Sequence, residues 1–295
     1  MQYLKNIPYI FKLMLLALCL TAFSSAVAQS SVWLVEKDGQ KLYLGGTLHV
    51  LSSADFPLPD EYEQAYNNSD TLIFETDIKE LSNPVNQLAI MTAMTYTDGR
   101  TLQSVLSPEV YQMLSTHMQS RGLALNIFQS FSAGGISLML TVIELQALGL
   151  TESGVDEHYY NKAVADNKTL AFFETLDDQL GFLSVLGEGI EDQVVSHSIS
   201  DLEKLPKLLT EMISQWREGD VEGMDNAMLD EFRSEYPDAY QSLIVNRNTT
   251  WLPIIETMLS NDQESEFVLV GVGHMVGSDG LLERLRQRGY KVQQI

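Results

Sequence analysis

Two Gly-x-x-His tetrapeptides stand near opposite ends of the chain, Gly46-Thr47-Leu48-His49 and Gly271-Val272-Gly273-His274. Each follows an apolar run, Leu42-Tyr43-Leu44 in the first case and Phe267-Val268-Leu269-Val270 in the second. An imidazole just past the C-terminal end of a buried strand lies where open α/β sheets bind ligands. One histidine after a glycine turn is usually structural, its ring bonded to nearby backbone. Two in the same context, in what reads as a repeated unit, shift the balance toward function. A carboxylate, Glu75, closes a third apolar run, Thr71-Leu72-Ile73-Phe74, expected to pair beside the first Gly-x-x-His strand. Two imidazoles and a carboxylate form a recurring ligand set for a first-row divalent metal, with positions open for water and substrate. Such an ion would lower the pKa of its water and polarise a scissile carbonyl. Without metal, His49, Glu75 and His274 would work as general acid and base. No His-Glu-x-x-His motif occurs, so spacing leaves both chemistries open.

Other polar residues are weighed on the same terms. Arg247, flanked by two asparagines, is suited to a bidentate grip on a carboxylate, either a substrate's or that of Glu174. An ordinary salt bridge explains it equally well. Asp156, just after Gly154, is expected to N-cap its helix. His117, His158 and His197 have polar neighbours and read as solvated.

The elements that must position these groups follow from periodicity. The first unit runs from a strand at 41–45 through Gly-x-x-His and a short helix, 60–66, to the strand ending at Glu75. The last unit runs from the strand at 267–270 through a helix ending Arg284-Leu285-Arg286-Gln287-Arg288, with Gly289 as C-cap, to a final strand at 290–295. Two copies of one unit predict an α/β fold with internal pseudo-symmetry. Its central sheet would be built from strand–GxxH–helix–strand units at both chain ends, around a large, mainly helical middle. Strands of right-handed crossover units would place both histidines on one edge. In the middle, Ser107-Pro108 reads as N-cap and N1 of a helix. Residues 128–148 read as a buried core helix interrupted by Gly134-Gly135, and Glu144 argues against a membrane span. A further strand, 169–173, also ends in Glu-Thr. Residues 176–260 read as a helical insertion, with Pro206 interrupting 201–218 and a helix starting at Asn246. The stretch 201–240 has no histidine and is expected to wall the crevice.

Residues 1–28 read differently. Lys5 and Lys12 precede an apolar run, 13–23, and Ala26-Val27-Ala28 meets the small-x-small rule. This predicts a secretory signal peptide cut after Ala28 and one domain over 29–295, exported to a periplasm or beyond. The apolar run is shorter than the ~20 residues that a spanning helix needs, so no membrane anchor is expected to remain. Cys19, the only cysteine, falls inside the signal. The whole chain carries 18 basic and 40 acidic residues; without Lys5 and Lys12 its charge goes from -22 to -24. Such a field excludes nucleic acid and anionic lipid as partners and suits a divalent cation or a cationic peptide.

These motifs occur in the order seen in the TraB/GumN family, which the chain resembles from about Val32 to Ile295. The resemblance rests on Gly46 to His49, Phe74-Glu75-Thr76, Gly154-Val155-Asp156, Phe173-Glu174-Thr175, Asn246-Arg247-Asn248 with Trp251, and Gly271 to Gly280. That family is similar to the Tiki metalloproteases and, more remotely, to the erythromycin esterase and ChaN proteins. The resemblance implies a catalytic set of His49, Glu75 and His274, supported by Arg247. It implies a divalent metal on His49, Glu75 and His274, manganese or cobalt by analogy with the Tiki branch, or zinc. It also implies a peptide or protein substrate. The expected activity is that of an exported metal-dependent peptidase. The rival expectation is a non-catalytic peptide-binding or regulatory module of the same fold, and the remote ChaN likeness adds haem binding as a third.

Overall fold

The computed structural model describes residues 30–260 and 265–295. The expected signal segment, its cleavage point and Cys19 lie outside the described residues.

Six strands form one mixed sheet in the order β6-β4-β7-β2-β1-β8. They are β1 (Val32–Lys37), β2 (Gln40–Thr47), β4 (Thr71–Phe74), β6 (Thr169–Phe172), β7 (Glu266–Gly271) and β8 (Lys291–Gln294). A separate two-stranded ribbon joins β3 (Val50–Leu51) to β5 (Glu152–Ser153). The Gly-x-x-His strands β2 and β7 are parallel neighbours, with Thr47 opposite Gly271. Strands β4 and β7 are buried almost throughout, as expected of parallel strands covered on both faces. The mixed α/β class and the helical middle between strand-bearing ends stand as expected.

The partners of the repeated units differ from expectation in two ways. Strand β4 pairs with β7 rather than β2, so Glu75 ends the strand beside the second Gly-x-x-His strand. Strand β8 pairs antiparallel with β1 at the far edge. The cause is a hairpin that the sequence reading omits: β1 folds onto β2 through Asp38 and Gly39, at φ 53° and 88°, and covers β2's free edge.

The sheet is covered by α1 (Asp60–Asn67) and α4 (Val155–Asp166), whose Tyr62 and Tyr159 rings pack against Phe267. A second, wholly helical core is formed with α2 (Pro108–Ser120) and α3 (Ala133–Ala147). Ser107 caps α2 and Pro108 opens it, as its sequence indicates. Gly134 and Gly135 do not interrupt α3 but form its first turn, where Leu186 O and Met94 O approach too closely for any Cβ. One face of α3 is exposed, including Val142, and its Glu144 is neutralised by a bidentate pair with Arg121.

Helix α5 (Glu191–Glu218) bridges the two cores. It runs unbroken through Pro206, so the expected interruption there is absent. Val195, Ile199 and Leu202 enter the helical core, and Trp216 enters the core under the sheet. The helix expected to start at Asn246 continues an earlier run: Pro237–Tyr240 leads through a π-helical stretch, Gln241–Asn246, into α6 (Arg247–Met258). The last helix, α7 (Leu281–Gln287), buries Leu281, Leu282 and Leu285.

Candidate active site

The site forms where β2, β4 and β7 end. The carbonyl of Gly46 is fixed there by Tyr62 Oη and by Trp216 Nε1, which donates over 2.8 Å. Gly46 N in turn donates to Ser31 O over 2.8 Å, and Ser31 Oγ to Trp216 O over 2.7 Å. These buried bonds hold the His49 turn against α5.

His49 is aimed by α4. Gly154 lets the start of α4 close onto that turn, since a Cβ there would lie 2.1 Å from Leu48 O. Val155 N donates to Leu48 O at 3.0 Å, and Asp156 Oδ2 then meets His49 Nδ1 at 2.9 Å. Asp156 therefore does not cap its helix, whose N-cap is Gly154 with no side-chain bond. A carboxylate on Nδ1 turns Nε2 toward the crevice. The Asp156 charge also favours the imidazolium, raising the His49 pKa to about 9. The side chain is 63% exposed.

His274 is its opposite, only 5% exposed. Asn248 Nδ2 donates to His274 O and Asp279 O at 3.1 and 2.9 Å, which leaves its Oδ1 as the acceptor for His274 Nδ1 at 2.8 Å. Network logic thus assigns the proton to Nδ1 and a lone pair to Nε2. Burial beside Trp251, its ring 4.5 Å away, lowers the His274 pKa to about 4.

Glu75 Oε1 accepts from Gly271 N at 2.7 Å. Burial opposes its ionisation, but His274 when protonated and Arg247 throughout pull its pKa down to about 2. Arg247 joins the whole set. Its Nη2 reaches Glu75 Oε2 at 2.5 Å, its Nη1 reaches His274 Nε2 at 3.1 Å, and Nε and Nη2 grip Glu174 at 2.7 and 2.8 Å. Trp251 Nε1 donates to Glu174 Oε1 at 3.0 Å, completing that anchor. The bidentate grip on Glu174 expected as one role for Arg247 is present.

A methyl group built on Gly271 would lie 3.2 Å from Glu75 Oε1, 3.5 Å from His49 Nε2 and 3.8 Å from His274 Cδ2. All three groups border one space that glycine keeps open. Among the described residues, no His, Cys, Asp and Glu side chains yet form a ligating cluster of three. The Arg247 guanidinium stands on His274 Nε2 and Glu75 Oε2, two of the atoms that such a cluster would use. The donor set nonetheless fits a divalent ion in kind: two imidazoles with Nδ1 held by outer acceptors, one carboxylate, and a space no Cβ fills.

His117, His158 and His197 lie outside this cluster. They are half-buried rather than solvated; His158 packs on Phe56 and Tyr159, and His197 on Tyr236. Sequence reasoning missed the outer acceptors Asp156 and Asn248. The signal for each is an acidic or amide residue inside a segment already singled out, Gly154-Val155-Asp156 and Asn246-Arg247-Asn248. The site forms the polar end of a cavity of about 570 Å³, walled by α5 through Leu205, Leu209 and Met212. The wall expected from 201–240 is thus in place.

Residues 31–294 match the TraB/PrgY/gumN family. The chain is 24% identical to Metalloprotease TIKI1 of Danio rerio, over 93% of this chain and 65% of that protein. It is 24% identical to Metalloprotease TIKI2 of Xenopus tropicalis, over 90% and 59%. Against Metalloprotease TIKI1 of Homo sapiens the figures are 22%, 90% and 61%. The chain therefore spans about three fifths of the length of these curated relatives. No solved structure matches. With both Gly-x-x-His motifs at one crevice and the match extending over nearly every described residue, the chain belongs to the TraB/PrgY/gumN family.

Proposed function

We propose that the chain is an exported metal-dependent hydrolase, a peptidase in its most specific reading, with His49, Glu75 and His274 as metal ligands. The observation that carries this is the convergence of His49 Nε2, Glu75 Oε1 and the His274 ring on the space beside Gly271. The similarity to proteins named metalloproteases supports the choice of reaction. Bound at these residues, a divalent ion such as manganese, cobalt or zinc would supply an activated water and a Lewis acid for the amide carbonyl.

The chain's own groups divide the remaining work. Asp156 and Asn248 hold the rings so that each Nε2 faces the crevice. A carboxyl group with a pKa of about 2 is a poor proton acceptor near neutrality, which supports Glu75 as ligand rather than general base. Arg247, anchored on Glu174, places a fixed positive charge beside the reacting position, where it stabilises negative charge developing on a carbonyl oxygen. The signal-like residues 1–28 support export, and among the described residues no helix is long and apolar enough to cross a membrane.

One observation favours the rival reading of a non-catalytic peptide-binding module. Arg247 already pairs with Glu75 and occupies His274 Nε2, so two of the groups an ion would need have a partner without one. Cleavage of a peptide library by tag-free protein separates the two readings. The hydrolase reading expects cleavage with manganese, cobalt or zinc that a chelator abolishes; the module reading expects none.

A further inference from the structure

The apolar stripe of α5 is continuous in sequence but not in its partners. Val195, Ile199 and Leu202 pack in the helical core, and Trp216 packs under the sheet. Between them, Leu208, Leu209, Met212 and Ile213 belong to neither core. They are half-buried and line the cavity whose polar end holds His49, Glu75 and His274. Leu145 and Leu150 line the same space and likewise belong to neither core.

Half-buried leucines on a helix between two well-packed cores leave apolar surface for an occupant from outside. The volume, about 570 Å³, is in the range of ligand pockets, and such pockets pair an apolar lining with a few convergent polar groups. Thr47, 2% exposed, lines the cavity too, and its Oγ1 has no partner among the described residues. A main-chain N–H or C=O entering the cavity would supply one. The chain's net charge of -22 disfavours an acidic guest at long range.

We infer that this cavity is a specificity pocket for a large aliphatic or aromatic side chain of an uncharged or cationic peptide, seated beside the bond that the site acts on. This rests on the peptidase reading for the bond, but not for the binding. Leu209 and Met212 select the side chain by apolar contact, and the polar floor receives the adjoining peptide group. Aspartate or glutamate at the same position is rejected, because its charge would lose water against the apolar α5 wall, and the cations of the polar floor, Arg247 and His49, are already held by Glu75, Glu174 and Asp156.

The test is binding without turnover. Fluorescein-labelled Gly-Gly-Xaa-Gly-Gly peptides, with Xaa as Leu, Phe, Ala or Asp, are titrated with wild-type protein in a chelator and followed by fluorescence anisotropy. The Leu and Phe peptides should bind at least tenfold more tightly than the Asp peptide. Leu209→Ala with Met212→Ala should erase most of that preference, and the milder Leu209→Val should reduce it, each with an unchanged circular dichroism spectrum. Equal binding of all four peptides, or binding of none, overturns the pocket. So does a solution dimer that Leu209→Glu dissociates, since a second copy would then be the occupant. Cleavage by metal-loaded wild type is scored separately: cleavage without apolar preference sinks the pocket alone, whereas apolar-selective binding without cleavage sinks the peptidase reading alone.

Discussion

Arg247 Nη1 stands 3.1 Å from His274 Nε2 while its Nη2 stands 2.5 Å from Glu75 Oε2. The guanidinium thus holds the nitrogen and one of the oxygens that a metal would take. Glu174 grips the other side of Arg247 and can keep it when those two contacts are given up. Arg247 is therefore the resident cation of the site, and under the proposed metal binding it would become the ion's anchored neighbour.

Replacing that cation strands two largely buried carboxylates, Glu75 and Glu174. Arg247→Met is expected to destabilise chelator-treated protein by about 3–5 kcal/mol, the usual cost of breaking a buried pair from one side. Manganese should restore part of the loss by compensating Glu75. Urea titrations of wild type and variant, with and without manganese, measure this. An equal loss under both conditions would show that the ion does not meet Glu75.

Gly271→Ala tests the shared space directly. The backbone at Gly271, φ -49° and ψ 132°, suits alanine, so the fold should persist within about 1 kcal/mol. Its methyl group would stand 3.2 Å from Glu75 Oε1 and 3.5 Å from His49 Nε2. Metal uptake and peptide cleavage should both disappear, as read by elemental analysis and chromatography of cleaved peptide. Retention of both in a folded variant would place the ion elsewhere.

Asp156→Asn keeps the size and an acceptor for His49 Nδ1 but removes the charge. The His49 pKa should fall from about 9 toward the ordinary 6.5, as followed by nuclear magnetic resonance titration. Metal affinity should drop roughly 10- to 100-fold, the usual effect of losing an outer-shell partner. An unmoved His49 titration would mean that Asp156 does not set its charge.

In chelator the two histidines should give stability opposite slopes with pH. His274, at about 4 in the fold and ordinarily about 6.5, binds fewer protons folded than unfolded between those values. Its contribution is present above 6.5 and is lost as pH falls toward 4, by on the order of 3 kcal/mol. Glu75, depressed to about 2, adds to the acid limb from about 4.5 downward. His49, raised to about 9, contributes fully below 6.5, and that contribution is lost as pH rises through 9. Urea unfolding across pH should show His274→Gln flattening the acid limb and His49→Gln the alkaline one. An acid limb that His274→Gln leaves unchanged would contradict a buried neutral ring.

Much of this architecture is legible in the chain. The strands before His49 and His274 pair as parallel neighbours, and the sequence signals their equivalence in the apolar runs 42–44 and 267–270, each leading into Gly-x-x-His. Pairing beyond them is decided by edges. Asp38-Gly39 between Val32–Lys37 and Gln40–Thr47 is a strong two-residue hairpin signal, and overlooking it misplaces β4 and β8. Pro206 illustrates the reverse error: local propensity argues for a break, yet packing at both ends of α5 holds one helix. The inner residues of the site carry a repeated motif and are readable for that reason. Asp156 and Asn248 carry none, and their roles arise only when Gly154 admits the start of α4 and when α6 packs beside the β7 turn.

The central claim is that His49, Glu75 and His274 bind one divalent ion together. Its most direct measurement is the metal content of tag-free wild type and His274→Ala after equilibration with manganese and removal of free ion, both checked for folding by circular dichroism. The account expects close to one equivalent per wild-type chain and essentially none in the variant. A wild type that retains no metal, or a folded His274→Ala that retains as much as wild type, would contradict it.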